Sequence, residues 1–268
     1  MPELSANVQA ALAGLALTLV IGTATWLASL LYKDSSLADR VWPVSIVGAA
    51  LTYFGWLPYP GPRGPWMIVI GIVWAVRLCL FVTFRNWGHG EDRRYRAIRV
   101  RNQPNYGIKS LYLVFGLQAA LAWIVSAPFF AGLTSARPLN GLDAAGIAIA
   151  GFGIVFETVG DAQMSRFQAD PANKGEVMDR GLWRWTRHPN YFGEACVWWG
   201  LWLVALAGAG WGAAWSGVSP LLMTVLLLKV SGVSLLEKDI AERRPAYRAY
   251  IARTNAFVPG PPRKRPSA

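Results

Sequence analysis

Seven apolar runs of about 17–25 residues, separated by polar and Arg-rich segments, dominate this chain, and a helix of that length crosses a hydrocarbon core of ~30 Å. They extend from Val8 to Tyr32, Val41 to Leu57, Pro65 to Phe84, Ser110 to Leu133, Gly141 to Gly160, Tyr191 to Gly208 and Trp211 to Val233. The first is preceded by no Lys or Arg and is too long for a signal-peptide core, so it reads as a spanning helix. The second is short, and the fifth is rich in Gly and Ala. A composition that is 54% hydrophobic, 15% charged and carries 14 Trp fits the same picture and excludes an ordinary soluble domain. The expected fold is an all-α, multi-pass transmembrane bundle occupying residues 1–268 as one membrane domain, with the lipid bilayer as its solvent.

The formal charge of +11 does not point to nucleic acid, because the basic residues alternate with apolar runs in a sided pattern and form no soluble basic domain. With the N-terminus outside, one side collects Lys33 and Arg40, then Arg85 to Lys109, then Arg166 to Arg187, then the tail from Lys238 to Arg265. The other side holds only Arg63 and Arg137. By the positive-inside rule the C-terminus is cytoplasmic. Long inside loops against short outside turns place function on the cytoplasmic face. Arg77 and Lys229 fall toward the inside ends of their spans, where they can snorkel or line a site. After the last span, EKDIAERRPAYRAYIARTNAF has the spacing of one or two amphipathic helices interrupted by Pro245, and residues 259–268 form a Pro-rich basic tail, extended or disordered.

Polar chemistry concentrates between the fifth and sixth spans. Glu157 and Asp161 lie four residues apart, on one helix face, and so do Asn190 and Glu194. A carboxylate inside a membrane helix is costly unless it faces a cation, a ligand or a polar cavity. Pro189 suits the first turn of the sixth span, because the N–H it lacks has no intrahelical partner there. Between the two polar faces run Arg166, Arg180, Arg184, Arg187 and His188, interleaved with tryptophans. Each arginine alone is explained by topology. Together, guanidinium forks beside aromatic rings suit a large anionic, aromatic ligand such as a dinucleotide. Structural pairing of Glu157 and Asp161 with loop arginines is the alternative. Glu91, Asp92, Arg93 and Arg94 read as a solvated charged cluster. His89 and His188 are the only histidines, which excludes a multi-histidine metal centre, and Cys79 and Cys196 lie in apolar runs without ligand spacing.

The string Phe156–Glu157, Asp161, Gln163, Arg166–Phe167, Asp170 to Gly175, Gly181 to Trp183 and Arg187 to Glu194 resembles the C-terminal domain of steroid 5-alpha-reductase-like membrane proteins, most closely their bacterial relatives. The likeness covers residues 110–258, and more loosely the third span and its loop. It implies a reductase of the bacterial inner membrane that takes NADPH from the cytoplasm and passes hydride to an activated C=C bond of a lipophilic enone. Carried over by motif, Asp161, Arg166, Arg180, Asn190 and Glu194 would hold the cofactor, with Arg85 and Asn86 contributing from the third-span loop. With Glu157, Arg187, His188 and Tyr191 these make the candidate cofactor set, and no catalytic residue is assigned. The steroid reductases carry a Gln-Glu-Leu-Pro stretch and a third-span tyrosine. Here Val41 to Leu57 has no Glu, Trp74 falls near the tyrosine's place, and Ser234 to Asp239 replaces their histidine-rich last-span end.

Isoprenylcysteine carboxyl methyltransferases share an Arg-His-Pro-x-Tyr stretch and a later Glu before Tyr-x-x-Tyr. In this sequence Glu237 and Tyr247 to Tyr250 would serve, and the ligand would be S-adenosylmethionine. A lipid-binding protein without catalysis is the third alternative.

Overall fold

The computed structural model describes residues 5–57, 59–230, 232–233, 237 and 240–263, and among them every regular element is helical. The long elements are α1 (Ala6–Tyr32), α2 (Leu37–Trp56), α3 (Gly64–Asn86), α5 (Tyr106–Leu133), α6 (Gly141–Ala169) and α7 (Pro189–Ala209). The short ones are α4 (Arg93–Arg101), α8 (Val218–Val225), α9 (Ile240–Arg243) and α10 (Ala246–Arg253).

Five helices are long and apolar enough to cross a membrane: α1, α3, α5, α6 and the stretch Pro189–Val230. Their large apolar side chains point outward, as with Val20, Leu31, Val69 and Val155, which fits an integral multi-pass membrane protein. The count differs from seven for two reasons. The second run is helical, but α2 carries Asp39 and Arg40 near its start and continues through Pro43, Ser45 and Thr52, which lowers its apolarity. The sixth and seventh runs merge, because residues 210–217 stay helical in a tighter 3-10 form and join α7 to α8. The Gly/Ala-rich fifth run lies in the longest α-helix described, 29 residues.

The chain divides into two compact units. The first comprises residues 1–144 and 202–219. Small residues let its helices approach: a methyl group added at Gly14 would strike the Tyr53 ring, and one at Gly71 the Phe129 ring. The Tyr53 hydroxyl meets Ser126 Oγ at 2.8 Å, so neither buried oxygen is left unmatched. Arg63, fully buried just before α3, binds Asp143 in the first turn of α6 through Nε and Nη2, at 2.9 and 3.2 Å. It also donates to the carbonyls of Ser135, Arg137 and Pro138.

The 91–94 cluster is folded in rather than solvated. Arg94 pairs with Asp39 and Asp92, Arg99 pairs with Glu91, and Tyr95, 6% exposed, donates to Asp39 Oδ1 at 2.5 Å. Burial pushes the Tyr95 hydroxyl well above its ordinary range, and the Asp39 carboxylate beside it adds to that. These bonds fasten α4 to the α1–α2 turn.

The second unit comprises residues 145–201 and 220–268 and holds most of the candidate site. There α6 and α7 meet backbone to backbone. A methyl group at Gly193 would come within 2.6 Å of the Gly153 carbonyl oxygen, and one at Gly200 within 2.6 Å of the Gly146 carbonyl oxygen. Gly and Ala in the fifth run are therefore what permits this approach.

Candidate functional site

The Gly153–Gly193 contact fixes where the polar faces lie. The same added methyl at Gly193 would sit 2.8 Å from Glu157 Cβ, which places Glu157 in the α6–α7 seam. One turn on, Gly160 lies against Pro189 and the Asn190 backbone. Glu157, Asp161 and Glu194 are buried, at 3%, 4% and 5% exposure. Glu194 Oε1 accepts from Trp198 Nε1 at 3.0 Å, one turn away. Asn190 Oδ1 is buried with no hydrogen-bond partner among the described residues. A buried amide oxygen normally has a partner, so this one is able to accept a further donor.

The loop 179–188 is docked onto the end of α6. Gln163 Oε1 accepts from Leu182 N at 2.9 Å, and Trp183 Nε1 donates to the Gly160 carbonyl at 2.9 Å. Gly181 makes this possible: its φ is +55°, and a side chain there would strike Gln163. The C-terminal segment then packs on the loop's other face. Arg187 N donates to the Asn255 carbonyl, Thr186 Oγ1 to Phe257 O, Gly260 N to Trp185 O, and the Tyr250 hydroxyl to Trp183 O. Between loop and segment lies a cavity of about 550 Å³ lined by Asp179, Arg180, Gly181, Arg184, Arg253, Thr254, Pro262 and Arg263. Asp179 pairs with Arg253. Four arginines and one aspartate thus line the cavity.

A second cluster forms where the loop enters α7. Glu237 takes a two-pronged ion pair from Arg187, Nε to Oε1 at 2.7 Å and Nη2 to Oε2 at 2.8 Å, and Oε1 also lies 2.9 Å from His188 Nε2. Arg187 Nη1 donates to the Thr254 and Ile251 carbonyls. The His188 ring stacks on Tyr191, with centroids 5.3 Å apart and planes 4° from parallel. Burial raises the Glu237 carboxyl pKa, but hydrogen bonds from His188 and Arg187 and the guanidinium charge outweigh it and bring it down to about 2. Burial, then the Glu237 carboxylate, pushes the Tyr247 hydroxyl up.

The expected cofactor residues therefore fall into groups. Glu157 lies in the α6–α7 seam, the Asn190 backbone faces Gly160 of α6, and Asp161 and Glu194 are buried. Arg180 lines the arginine cavity, with its guanidinium 6.0 Å from the Phe167 ring centroid. Arg166 is exposed near the end of α6. Arg187, His188 and Tyr191 belong to the Glu237 cluster, where the Arg187 fork is occupied by protein acceptors. Arg85 and Asn86 end α3 in the first unit, and Arg85 Nε donates to Asn86 Oδ1 at 3.3 Å. Of the segment Ser234 to Asp239, only Glu237 is among the described residues, and so is the basic tail only as far as Arg263. Arg253 and Arg263 are cavity residues that the sequence presents only as topological charge, whereas Arg184 is one of the loop arginines that together suit an anionic ligand. Nothing in their local spacing shows that residues 251–263 fold back onto residues 179–188.

Fold and site fit a multi-pass helical membrane protein with a polar, arginine-rich pocket and several buried carboxylates. Residues 25–254 match the family described as protein of unknown function (DUF1295), and the chain belongs to that family. It is similar to an uncharacterized protein of Schizosaccharomyces pombe, 25% identical over 278 residues that cover 92% of this chain and 78% of the yeast protein. No solved structure matches the chain.

Proposed function

We propose that this protein is an NADPH-dependent reductase of the membrane that reduces an activated C=C bond of a lipophilic enone. The observation that carries it is the cavity in which Arg180, Arg184, Arg253 and Arg263 converge, because four guanidiniums suit the phosphates of a dinucleotide and have no counterpart in a phosphate-free ligand. The donor set fits the cofactor on a second count: the buried, unmatched Asn190 Oδ1 is an acceptor for an amide or hydroxyl donor. NADPH, when bound, supplies the hydride. The arginines bind phosphate, while Asp161, Asn190 and Glu194 receive the polar groups of nicotinamide and ribose. The tight α6–α7 seam excludes water from them. Arg187 and His188, held by Glu237, are positioning residues that fix the loop and the first turn of α7. In this reading the chain crosses the membrane seven times with the N-terminus outside, the 210–217 turn joining the last two spans, and the site opens to the cytoplasm.

One arrangement favours a second reading, methyl transfer from S-adenosylmethionine: Arg187, His188, Glu237 and Tyr247 are assembled, as the methyltransferase likeness implies. It leaves the four arginines without a purpose, since that ligand carries no phosphate. The deciding experiment incubates purified protein and a lipid extract with NADPH deuterated on the nicotinamide ring, and in parallel with methyl-labelled S-adenosylmethionine. Deuterium in a saturated lipid product is the expected result. Label from the methyl donor alone would overturn the reductase assignment.

A further inference from the structure

We propose that the outward face of α4 is a binding surface for anionic phospholipid headgroups, on which Arg96 and Arg101, with Lys33 beside them, engage the lipid phosphates. It concerns the first unit alone and stands apart from the reductase reading.

The two faces of this nine-residue helix carry charge in opposite ways. Positions 94, 95, 98 and 99 turn inward. Arg94 pairs there with Asp39 and Asp92, Arg99 with Glu91, and Ile98 packs against a cluster of Ala38, Tyr95, Val114 and Phe115. Positions 93, 96, 97, 100 and 101 follow the i, i+3, i+4, i+7, i+8 repeat of the other face, and all five are exposed. The acids of the neighbourhood are taken up on the inward side, Asp34 by Arg40 and the others by Arg94 and Arg99. Arg96, Arg101 and the exposed Lys33 make no ion pair with a described residue. The outward face therefore presents positive charge that the fold does not neutralise.

Depth in the membrane decides which anion this face meets. Trp26 packs on the same cluster as Ile98, and it lies six residues, roughly 9 Å, inside the end of α1. Arg99 donates to the Lys33 carbonyl and Lys109 Nζ to the Asn102 carbonyl, so α4 is held against the last turn of α1 and the first turns of α5. At these same ends of α1, α3 and α5 stand the exposed rings of Tyr32, Phe84 and Tyr112, as in an interfacial aromatic belt. Val100, 75% exposed, lies between Arg96 and Arg101 and offers an apolar contact at that level. A helix fixed there, with basic and apolar side chains on its free face, meets headgroups. Guanidinium forks match phosphate oxygens. A zwitterionic lipid brings its own cation beside the phosphate, so a net negative headgroup is the better partner.

The test re-equilibrates the detergent-purified full chain in mixed micelles of equal phosphatidylglycerol and phosphatidylcholine, recaptures it, and measures the ratio of the two lipids retained. The wild type should favour phosphatidylglycerol by roughly tenfold or more. Each basic residue near an anionic surface contributes about fivefold. Arg96→Gln/Arg101→Gln should thus lower the ratio by at least about fivefold and leave the melting temperature in phosphatidylcholine micelles unchanged. Arg96→Lys/Arg101→Lys, which keeps the charge, should keep most of the preference. Lys174→Gln/Arg248→Gln, an equal loss of charge at exposed positions of the second unit, should leave the ratio within about twofold of wild type. Equal retention of both lipids by the wild type would overturn the proposal, and so would an equal fall in the two glutamine variants, which would indicate net charge alone. A lowered melting temperature in Arg96→Gln/Arg101→Gln would make these arginines structural and count against it. Binding of heparin, a soluble polyanion, through Arg96 and Arg101 without lipid preference would assign the face to a soluble acidic partner instead.

Discussion

Replacing Arg63 by methionine removes a charge that the protein has enclosed completely. Arg63 is 0% exposed, and its five N–H donors are matched by the two Asp143 oxygens and the carbonyls of Ser135, Arg137 and Pro138. Asp143 is 1% exposed, and apart from Arg63 its carboxylate receives the Asn140 N–H at 2.9 Å. In Arg63→Met the carboxylate stays buried without its cation, which costs about 3–5 kcal/mol. Three carbonyls also lose a donor, at about 1 kcal/mol or more for each that water does not reach. The expected loss is thus about 4–6 kcal/mol, near the total stability of many domains. The double variant Arg63→Met/Asp143→Leu removes both charges and should recover about half of that loss, leaving the unmatched carbonyls. The assay is denaturation in mixed micelles followed by tryptophan fluorescence, completed as a double-mutant cycle. A loss below about 1 kcal/mol for Arg63→Met, the value of an exposed pair, would refute this reasoning.

Other outcomes follow from the second unit. Gly193→Ala should destabilise by roughly 1–3 kcal/mol, because the added methyl meets the α6 backbone at 2.6 Å rather than a side chain that can turn aside; an unchanged melting curve would mean the seam is looser than described. Glu237 has its carboxyl pKa depressed from 4.5 to about 2, so its contribution to stability is complete above pH 4.5 and is lost as pH falls toward 2. That window holds about 3 kcal/mol, which Glu237→Gln should lack at neutral pH and should no longer lose on acidification. Arg187→Met, leaving Glu237 without its ion pair, should lower stability by about 3 kcal/mol or more, and binding of NADPH by the surviving folded fraction should change less than twofold to threefold. Glu194→Gln keeps an acceptor for Trp198 and should cost under about 1 kcal/mol in stability while weakening NADPH binding roughly tenfold.

What the sequence made legible was whatever depends on local spacing. Helices at the apolar runs follow from their length, and the paired positions 157/161 and 190/194 follow from the helical repeat, so both polar faces are readable in the sequence itself. Pro245 separates α9 from α10 as its chemistry requires. What the sequence hid was pairing at a distance. Arg63 looks like a stray charge in an outside turn until Asp143, eighty residues on, is found against it. The methyltransferase likeness points to Glu237, but nothing in its local spacing shows that Arg187, fifty residues before it, is its ion-pair partner. Glycine and alanine made the fifth run look weakly apolar, yet they allow the α6–α7 seam to close, and hydropathy does not register that advantage.

The most direct measurement of the central claim is ligand-dependent thermal stabilisation of the detergent-purified protein with NADPH, NADH and S-adenosylmethionine in parallel, since a ligand that binds only the folded state raises its stability by mass action. At a concentration one hundred times the dissociation constant the gain is about 2.7 kcal/mol. The account predicts a clear upward shift with NADPH, a smaller one with NADH, and none with S-adenosylmethionine. A shift with S-adenosylmethionine alone would contradict it.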